Sequence, residues 1–225
     1  PNGLQVEGRS DILTLISGVT ASLDLLQAAA AAKADAILVH HGYFWRGEDA
    51  RITGMKSRRI ALLMHQQINL FAYHLPLDAH PQFGNNALLG KKLGFIETGH
   101  FGDQDIAAQG ELAQPTTLGA LGEKITRTLL RKPMMIGDPN KTIRCIAWCT
   151  GAAQGYFEAA IRQGVDAFIT GEISEQSVHA ARESGVAFIA AGHHATERYG
   201  VQALGDHLAQ KFGIQHQFID IENPV

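Results

Sequence analysis

The sequence predicts an α/β protein made of two similar lobes, each with a largely parallel sheet flanked by helices. The first observation behind this prediction is that apolar segments suited to strands alternate with segments of helical periodicity along most of the chain. Such an alternation is typical of parallel sheets covered by helices on both faces. The second is that a stretch of the first half has a counterpart of the same plan in the second half. At 225 residues, the chain is long enough to bury a sizeable core.

In the first half, the pattern predicts strands separated by helices and one long polar loop. Ser22 lies near the start of the first, alanine-rich helix, and Gly94 stops the last one. The predicted strands cover residues 12–20, 36–41 and 68–74, the helices cover 21–34, 55–67 and 85–94, and the loop covers 42–54.

The second half is less regular at its beginning and then resumes the alternation. A helix between short strands comes first, and the chain finishes with a long helix and a strand. The predicted helices cover residues 116–130, 152–164, 174–185 and 195–213, and the predicted strands cover 142–150, 167–171, 186–192 and 216–220. We place the boundary between the lobes after residue 98, with the crossover in residues 99–114 and with the last helix free to pack back on the first lobe.

The internal repeat relates residues 23–42 to residues 155–174, which share the order helix, small turn, Asp-Ala, apolar strand and polar tip. Aligning Asp35 with Asp166 sets the histidine pair of "AILVHH" opposite Gly171 and Glu172. In each half the next apolar strand ends at a histidine that is followed four residues later by a carboxylate. These are the segments "HLPLD" and "HHATE", residues 74–78 and 193–197.

Composition excludes several classes of protein. The formal net charge is −3 with no basic run, which gives no support for binding to duplex nucleic acid through phosphate contacts. No apolar stretch approaches the ~20 residues that a membrane span requires. The two cysteines, Cys145 and Cys149, are too few for a disulfide scaffold. We interpret them as buried small hydrophobes in a protein of the reducing cytoplasm.

Histidine, aspartate and glutamate follow the apolar strands in both halves, and the carboxyl ends of parallel strands are where open α/β sheets build their binding crevices. We therefore predict a metal site at these ends, between the lobes. Imidazole and carboxylate suit Zn, Mn, Fe, Co or Ni, whereas calcium takes oxygen ligands. A ligand set with two carboxylates can hold two ions, because a carboxylate can bridge them. The remaining histidines are expected on the surface or in helix packing, and they are His65, His80, His100, His179, His207 and His216.

These segments, together with the opening "PNGLQVEG" and the run "TGEISEQ", resemble the NGG-interacting-factor-three-like family, often labelled GTP cyclohydrolase I type 2 homologue. The resemblance covers essentially the whole chain. It implies two similar α/β lobes, a helix preceding the Asn-Gly-Leu-Gln segment, and a ring-shaped homohexamer with metal sites facing an internal cavity. It also implies a dinuclear metal site. The matching ligands are His40, His41, Asp78, His193 and Glu197.

His74 and Glu172 match positions that line this site in the family. Both are candidates for proton transfer during catalysis, and support of the ligands from outside the coordination sphere is an equally good interpretation. Gly42 and Gly171 would let a substrate approach the backbone closely, or they simply end their strands.

Three functions fit these residues. The leading hypothesis is a metal-dependent hydrolase acting on a nucleotide or a related small molecule. The second is a metallophosphoesterase that attacks a phosphate instead of a purine ring. The third is a metal-dependent adaptor without turnover, since fold and metal do not establish catalysis. For the adaptor, the aromatic run Tyr43, Phe44 and Trp45 is the candidate contact, and the alternative is that these rings pack over the metal cleft or fill a subunit contact.

Overall fold

The computed structural model describes residues 2–225 and has the predicted α/β class, with two sheets and helices on their faces. Eleven strands and eight α-helices lie in the described residues, with two short 3₁₀ turns at Asp103–Asp105 and Gln154–Tyr156. The strands are β1 Gly3–Val6, β2 Thr14–Thr20, β3 Ala36–His41, β4 Asn69–Ala72, β5 Phe95–Phe101, β6 Ala107–Thr117, β7 Met134–Ile136, β8 Thr142–Trp148, β9 Ala167–Thr170, β10 Ala187–Ala190 and β11 Gln215–Phe218. The helices are α1 Leu23–Ala31, α2 Gly54–Gln66, α3 Leu75–Ala79, α4 Asn85–Leu93, α5 Leu118–Leu129, α6 Phe157–Arg162, α7 Glu175–Ser184 and α8 His193–Phe212.

The chain divides into two compact units, of which the first contains residues 2–77 and 200–222. Its five-stranded sheet has the order β1-β4-β3-β2-β11, with β1 antiparallel and all other neighbours parallel. Leu25 of α1 and Leu63 of α2 pack on one face of this sheet, against β-strand residues such as Ile37. On the other face, Leu204 and Leu208 of α8 pack against the sheet.

The second unit contains residues 78–199 and 223–225. Its six-stranded sheet has the order β5-β6-β8-β9-β10-β7. The pairs β8–β9 and β9–β10 are parallel, and the outer strands pair antiparallel. One face packs on α4 and α5 through Leu89 and Ile125, and the other packs on α6 and α7 through Phe157 and Ala181. Helices therefore cover both faces, as a sheet of apolar central strands requires.

The predicted internal repeat is present in the strand registers. In the first unit, Ala36 pairs with Leu15 on one side and with Asn69 on the other. In the second unit, Ala167 pairs in the same way with Ile146 and Ala187. The antiparallel strands β1 and β7 then take the same place, beside β4 and β10. The two units thus share the order of four strands.

Asp35 and Asp166, the residues on which the repeat was aligned, have the same structural task. The carboxylate of Asp35 accepts hydrogen bonds from the backbone N–H groups of Leu13 and Thr14, at 2.9 Å each. The carboxylate of Asp166 accepts them from Arg144 and Cys145, at 2.8 and 2.9 Å. Each aspartate therefore fixes the neighbouring strand at its amino end. Arg9 adds an ion pair to Asp35 at 3.0 Å.

The predicted strands and helices of the alternating segments are confirmed, with small shifts at their ends. The sheets are more mixed than expected, because β1, β5, β6 and β7 add antiparallel pairs to the parallel centres. Contacts place α4 and β5 in the second unit, whereas the sequence boundary was drawn after residue 98. None of the helices in residues 2–225 combines the length and the apolar composition that a membrane span needs.

Candidate metal centre

Three histidines come together at the carboxyl ends of β3 and β4 in the first unit. His40 and His41 are the last residues of β3, and His74 follows β4. One ring nitrogen from each of the three lies within 4.8 Å of the others, a spacing at which imidazoles can share a cation. His40 is fully buried, while the other two are half-buried.

Hydrogen bonds to protein oxygens fix how two of these rings are presented. Nδ1 of His40 lies 2.8 Å from the carbonyl oxygen of Tyr73, and Nδ1 of His41 lies 3.0 Å from Oγ1 of Thr20. A carbonyl oxygen only accepts, so Nδ1 of His40 carries the proton and Nε2 becomes its ligand atom. Such an oriented imidazole is typical of metal sites.

In the second unit, Asp78 is a buried carboxylate whose position is set by two neighbours. Its Oδ1 accepts a hydrogen bond from Nδ2 of Asn85 at 2.9 Å and one from the hydroxyl of Thr150 at 3.2 Å. Asn86 in turn accepts a hydrogen bond from the backbone N–H of Thr150 at 2.8 Å, which holds the end of β8 in place. An oxygen of Asp78 lies within 4.8 Å of an oxygen of Glu197.

Glu197, His193 and Glu172 form a chain of alternating carboxylate and imidazole groups. Nε2 of His193 lies 3.0 Å from Oε2 of Glu197, one helical turn further along α8. Nδ1 of His193 lies 2.6 Å from Oε1 of Glu172. Glu197 is only 3% exposed, so its charge is stabilised by few water molecules. The second unit therefore places the imidazole of His193 between a buried carboxylate, that of Glu197, and a half-buried one, that of Glu172.

The pKa of His193 is raised to about 9 in this surrounding. Burial is the largest influence and disfavours the protonated ring, but the hydrogen bond and the charge of Glu197, followed by those of Glu172, outweigh it. In the absence of metal, His193 is therefore protonated near neutral pH, and the carboxylates of Glu197 and Glu172 stabilise its positive charge. A metal ion bound at Nε2 would take over that charge and displace the proton.

Gly151 and Gly171 leave the space that these side chains fill. A Cβ atom on Gly151 would lie 2.1 Å from Oε1 of Glu197 and 3.2 Å from Nε2 of His193. A Cβ atom on Gly171 would lie 2.5 Å from the Cα atom of His193. The hydroxyl of Thr170 donates a hydrogen bond to the Gly151 carbonyl oxygen at 3.0 Å, which ties the loop after β8 to the end of β9. The backbone N–H of Gly151 donates to Oγ1 of Thr196 at 3.1 Å, which holds the same loop against α8.

Every residue predicted for the site thus lies in one of two groups. The first unit brings together the two histidines of β3 and His74, and the second brings together Asp78, His193, Glu197 and Glu172. The sequence interpretation did not find the supporting residues, which are Asn85, Asn86, Thr150, Gly151 and Thr170. Both asparagines begin a helix, and nothing in their spacing marks them as partners of Asp78.

The remaining predictions for single residues have mixed outcomes. Cys149 is buried as expected, and burial, followed by the charge of Asp78, raises the pKa of its thiol to about 12. Cys145 is only half-buried. Tyr43 is buried in the core of the first unit, so it is no interface anchor, whereas Trp45 is 42% exposed.

Most histidines outside the motifs are exposed or half-buried, as predicted. His216 instead lies in a polar chain, with Nε2 2.8 Å from Oγ of Ser17 and Nδ1 2.8 Å from Oδ1 of Asp206. The order Ser-His-Asp is that of a hydrolase triad. Because Ser17 is fully buried within β2, the chain joins β11 to β2 and offers no accessible nucleophile.

Comparisons with known proteins agree on one family. The sequence profile of Duf34/NIF3 (NGG1p interacting factor 3) matches residues 1–224. A Pseudomonas aeruginosa protein named "GTP cyclohydrolase 1 type 2 homolog" is 55% identical over 229 residues, which cover all of this chain and 90% of the relative. A Neisseria meningitidis protein of the same name is 53% identical over 224 residues, covering all of this chain and 90% of the relative.

Solved structures give the same result. The protein ybgI, described as of unknown function, has a TM-score of 0.97 and 49% identity, and the match covers all of this chain and 91% of that one. A Thermus thermophilus protein has a TM-score of 0.89 and 30% identity, and the match covers 100% of this chain and 90% of that one. The resemblance stated from the sequence motifs is thereby confirmed, and the chain belongs to the Duf34/NIF3 family.

Proposed function

We propose that this protein is a metal-dependent hydrolase that acts on a nucleotide or a related small molecule. Two divalent cations per subunit would be held by His40, His41, Asp78, His193 and Glu197. The observation that carries the proposal is that each unit presents its own group of oriented ligands, imidazoles in the first and carboxylates with one imidazole in the second. The relatives' name, "GTP cyclohydrolase 1 type 2 homolog", supports a nucleotide as the substrate class.

The residues fit the cations by the chemistry of their donors. Nitrogen ligands together with two carboxylates suit Zn, Mn, Fe, Co or Ni rather than Ca. The ligand atoms are oriented by carbonyl, hydroxyl and amide groups outside the donor set, as the hydrogen bond between His40 and the carbonyl oxygen of Tyr73 illustrates. Gly151 keeps open the space around Glu197 that a side chain would occupy.

Bound divalent cations lower the pKa of water and polarise the bond that is attacked. The chain's own residues would then position the substrate and move protons. Oε1 of Glu172 accepts a hydrogen bond from Nδ1 of His193 at 2.6 Å, so its first role is to orient that ligand. His74 lies beside the two histidines of β3 with its ring half-exposed, where it can exchange a proton with a substrate.

The test is turnover of a nucleotide panel by protein loaded in turn with each of the five metals, with metal content measured in parallel. Glu197→Ala should lose both metal and activity, because it removes a buried ligand. Glu158→Ala, an exposed acid on α6 with only a 4.0 Å contact to Arg162, is the matched control and should keep both. A metal-stripped Glu197→Ala protein that turns over at the wild-type rate would refute the proposal.

The reaction products decide between the two enzymatic hypotheses. Formate or an opened ring supports cyclohydrolase chemistry, and inorganic phosphate or a cleaved diester supports a metallophosphoesterase. A stable protein partner that co-purifies, with no substrate consumed, supports the adaptor instead. The proposed assembly is a ring-shaped homohexamer in the cytoplasm, and light scattering on the purified protein measures its mass directly.

A further inference from the structure

A cavity of about 210 Å³ opens beside the histidines of the first unit. The residues that line it include His40, His74, Trp45, Arg46 and Asn2. Sites that enclose a drug-sized ligand usually measure ~300–1,000 Å³. This cavity therefore has room for one ring system, while the rest of a larger ligand stays outside.

Trp45 is an aromatic residue that lines the cavity and is also exposed to solvent. Its ring meets His74 edge-on at a centroid distance of 4.7 Å and is 42% exposed. The ring of His41, one of the candidate metal ligands, has its centroid 6.1 Å from that of Trp45. A planar ligand that enters the cavity would meet both the indole and the imidazoles.

The turn before Trp45 is anchored to the core. The backbone N–H of Tyr43 donates to Oε1 of Gln5 at 2.8 Å, and its carbonyl oxygen accepts from Nε2 of Gln5 at 3.0 Å. The Tyr43 hydroxyl donates to the carbonyl oxygen of Ala21 at 2.7 Å. Phe44 then takes a left-handed backbone conformation with φ of 63°, which an aromatic residue rarely adopts.

The turn after Trp45 is held equally well. The backbone N–H of Trp45 donates to Oε2 of Glu48 at 2.9 Å. Glu48 forms an ion pair with Lys56 at 3.2 Å, and the ammonium of Lys56 lies 4.8 Å from the centre of the Phe44 ring. The backbone that carries the indole is therefore held in place, and the ring itself rests against His74. A backbone ordered before binding lowers the entropic cost of binding.

Arg46 follows directly and is exposed at the same cavity. A guanidinium group pairs with phosphate through two parallel hydrogen bonds. An indole stacks on any planar heterocycle because every such ring has a π-face. The two neighbouring side chains thus match the two parts of a nucleotide, with the ring in the cavity and the phosphate outside it.

We propose that Trp45 and Arg46 are the specificity-determining residues of the site, with Trp45 stacking on a planar nitrogen heterocycle and Arg46 pairing with its phosphate. This rests on the proposed function, because it assigns the substrate of that same site. It also gives the aromatic loop a task in ligand recognition.

The test measures binding of GMP, guanosine and inorganic phosphate to the metal-loaded full chain by calorimetry. Trp45→Leu should weaken GMP and guanosine about tenfold or more, leave phosphate unchanged and leave the metal content unchanged. Trp45→Phe should recover most of the loss. Arg46→Gln should weaken GMP and phosphate several-fold but not guanosine, and this loss should shrink at higher salt.

Arg51→Gln is the matched control, because Arg51 lies in the same loop but is exposed and paired with Asp49 at 2.7 Å. It should bind all three ligands as the wild type does. Wild-type affinity for guanosine in Trp45→Leu would overturn the proposal, as would a wild type that binds no nucleotide. Trp45-dependent binding without any turnover would uphold this inference while the hydrolase proposal fails.

Discussion

Replacing Gly151 with alanine, which adds one methyl group, should abolish metal binding in a protein that still folds. The φ of Gly151 is +69°, and a Cβ atom there would lie 2.1 Å from Oε1 of Glu197, whereas ordinary contacts begin at 3.4 Å. In Gly151→Ala the carboxylate must therefore move by roughly 1 Å, several times the ~0.2 Å that ligand distances tolerate. Glu197 is buried and paired with His193 at 3.0 Å, so it cannot move away freely.

The same substitution strains the backbone by about 1–2 kcal/mol, because alanine disfavours the left-handed region. For a chain of this length, that loss lowers the Tm by roughly 2–4 °C per kcal/mol. Gly164→Ala is the control for backbone strain without steric overlap. Gly164 has a φ of +74°, and no atom lies within 4 Å of the added Cβ atom. Gly164→Ala should lose this amount of stability and keep its metal, whereas Gly151→Ala should lose at least as much stability and should also lose metal.

The assay measures thermal unfolding of the metal-free proteins. It also measures their metal content after metal is added back and their metal affinity by calorimetric titration. Wild-type metal stoichiometry and affinity in Gly151→Ala would refute the assignment of Glu197 as a ligand. Equal loss of metal in Gly164→Ala would show that strain, not the displaced carboxylate, is responsible.

Three further predictions follow from the hydrogen bonds and pKa shifts. Metal affinity should rise with pH by about tenfold per pH unit up to about pH 9, because metal must displace the proton of His193. Glu172→Gln should end this rise at a lower pH, because it removes a carboxylate that raises the pKa of His193. Calorimetry in two buffers that shows no proton release on metal binding would contradict this prediction. Asp35→Ala and Asp166→Ala should each cost about 1–3 kcal/mol in denaturant unfolding without loss of metal, since backbone N–H groups of the adjacent strand lose their acceptor; an unchanged midpoint would contradict their shared role. Cys149 should resist alkylation at pH 8 until the protein unfolds, because its thiol pKa is about 12, and mass spectrometry that finds it modified as fast as an exposed thiol would refute this.

The central strands could be predicted because burial on both faces leaves continuous apolar segments, as in "AILVHH" and "AFIA". The parallel edge strand β11 could also be predicted, but the antiparallel strands β5 and β7 could not. β7 has three residues, and β5 is mostly exposed, so neither shows a distinct hydrophobic period. Their antiparallel pairing depends on neighbours distant in the chain, which local patterns do not reveal.

The candidate ligands could be found because strand ends are visible in the sequence and because the repeat places the acidic and histidine residues at matching points. Their supports were missed for a physical reason. Asn85 reaches Asp78 from the first turn of α4, and Thr150 reaches it from the end of β8. Side-chain hydrogen bonds across such separations leave no periodic signal. The sequence marks Trp45 as part of an aromatic run, but only its position beside His74 in the structure indicates a role for it.

Anomalous diffraction from crystals of the metal-loaded protein, recorded at the absorption edge of the bound element, tests the central claim most directly. Two anomalous peaks per chain are expected, both bonded within the set His40, His41, Asp78, His193 and Glu197. Crystals with no peak at these residues, or with metal bound only elsewhere on the chain, would contradict it.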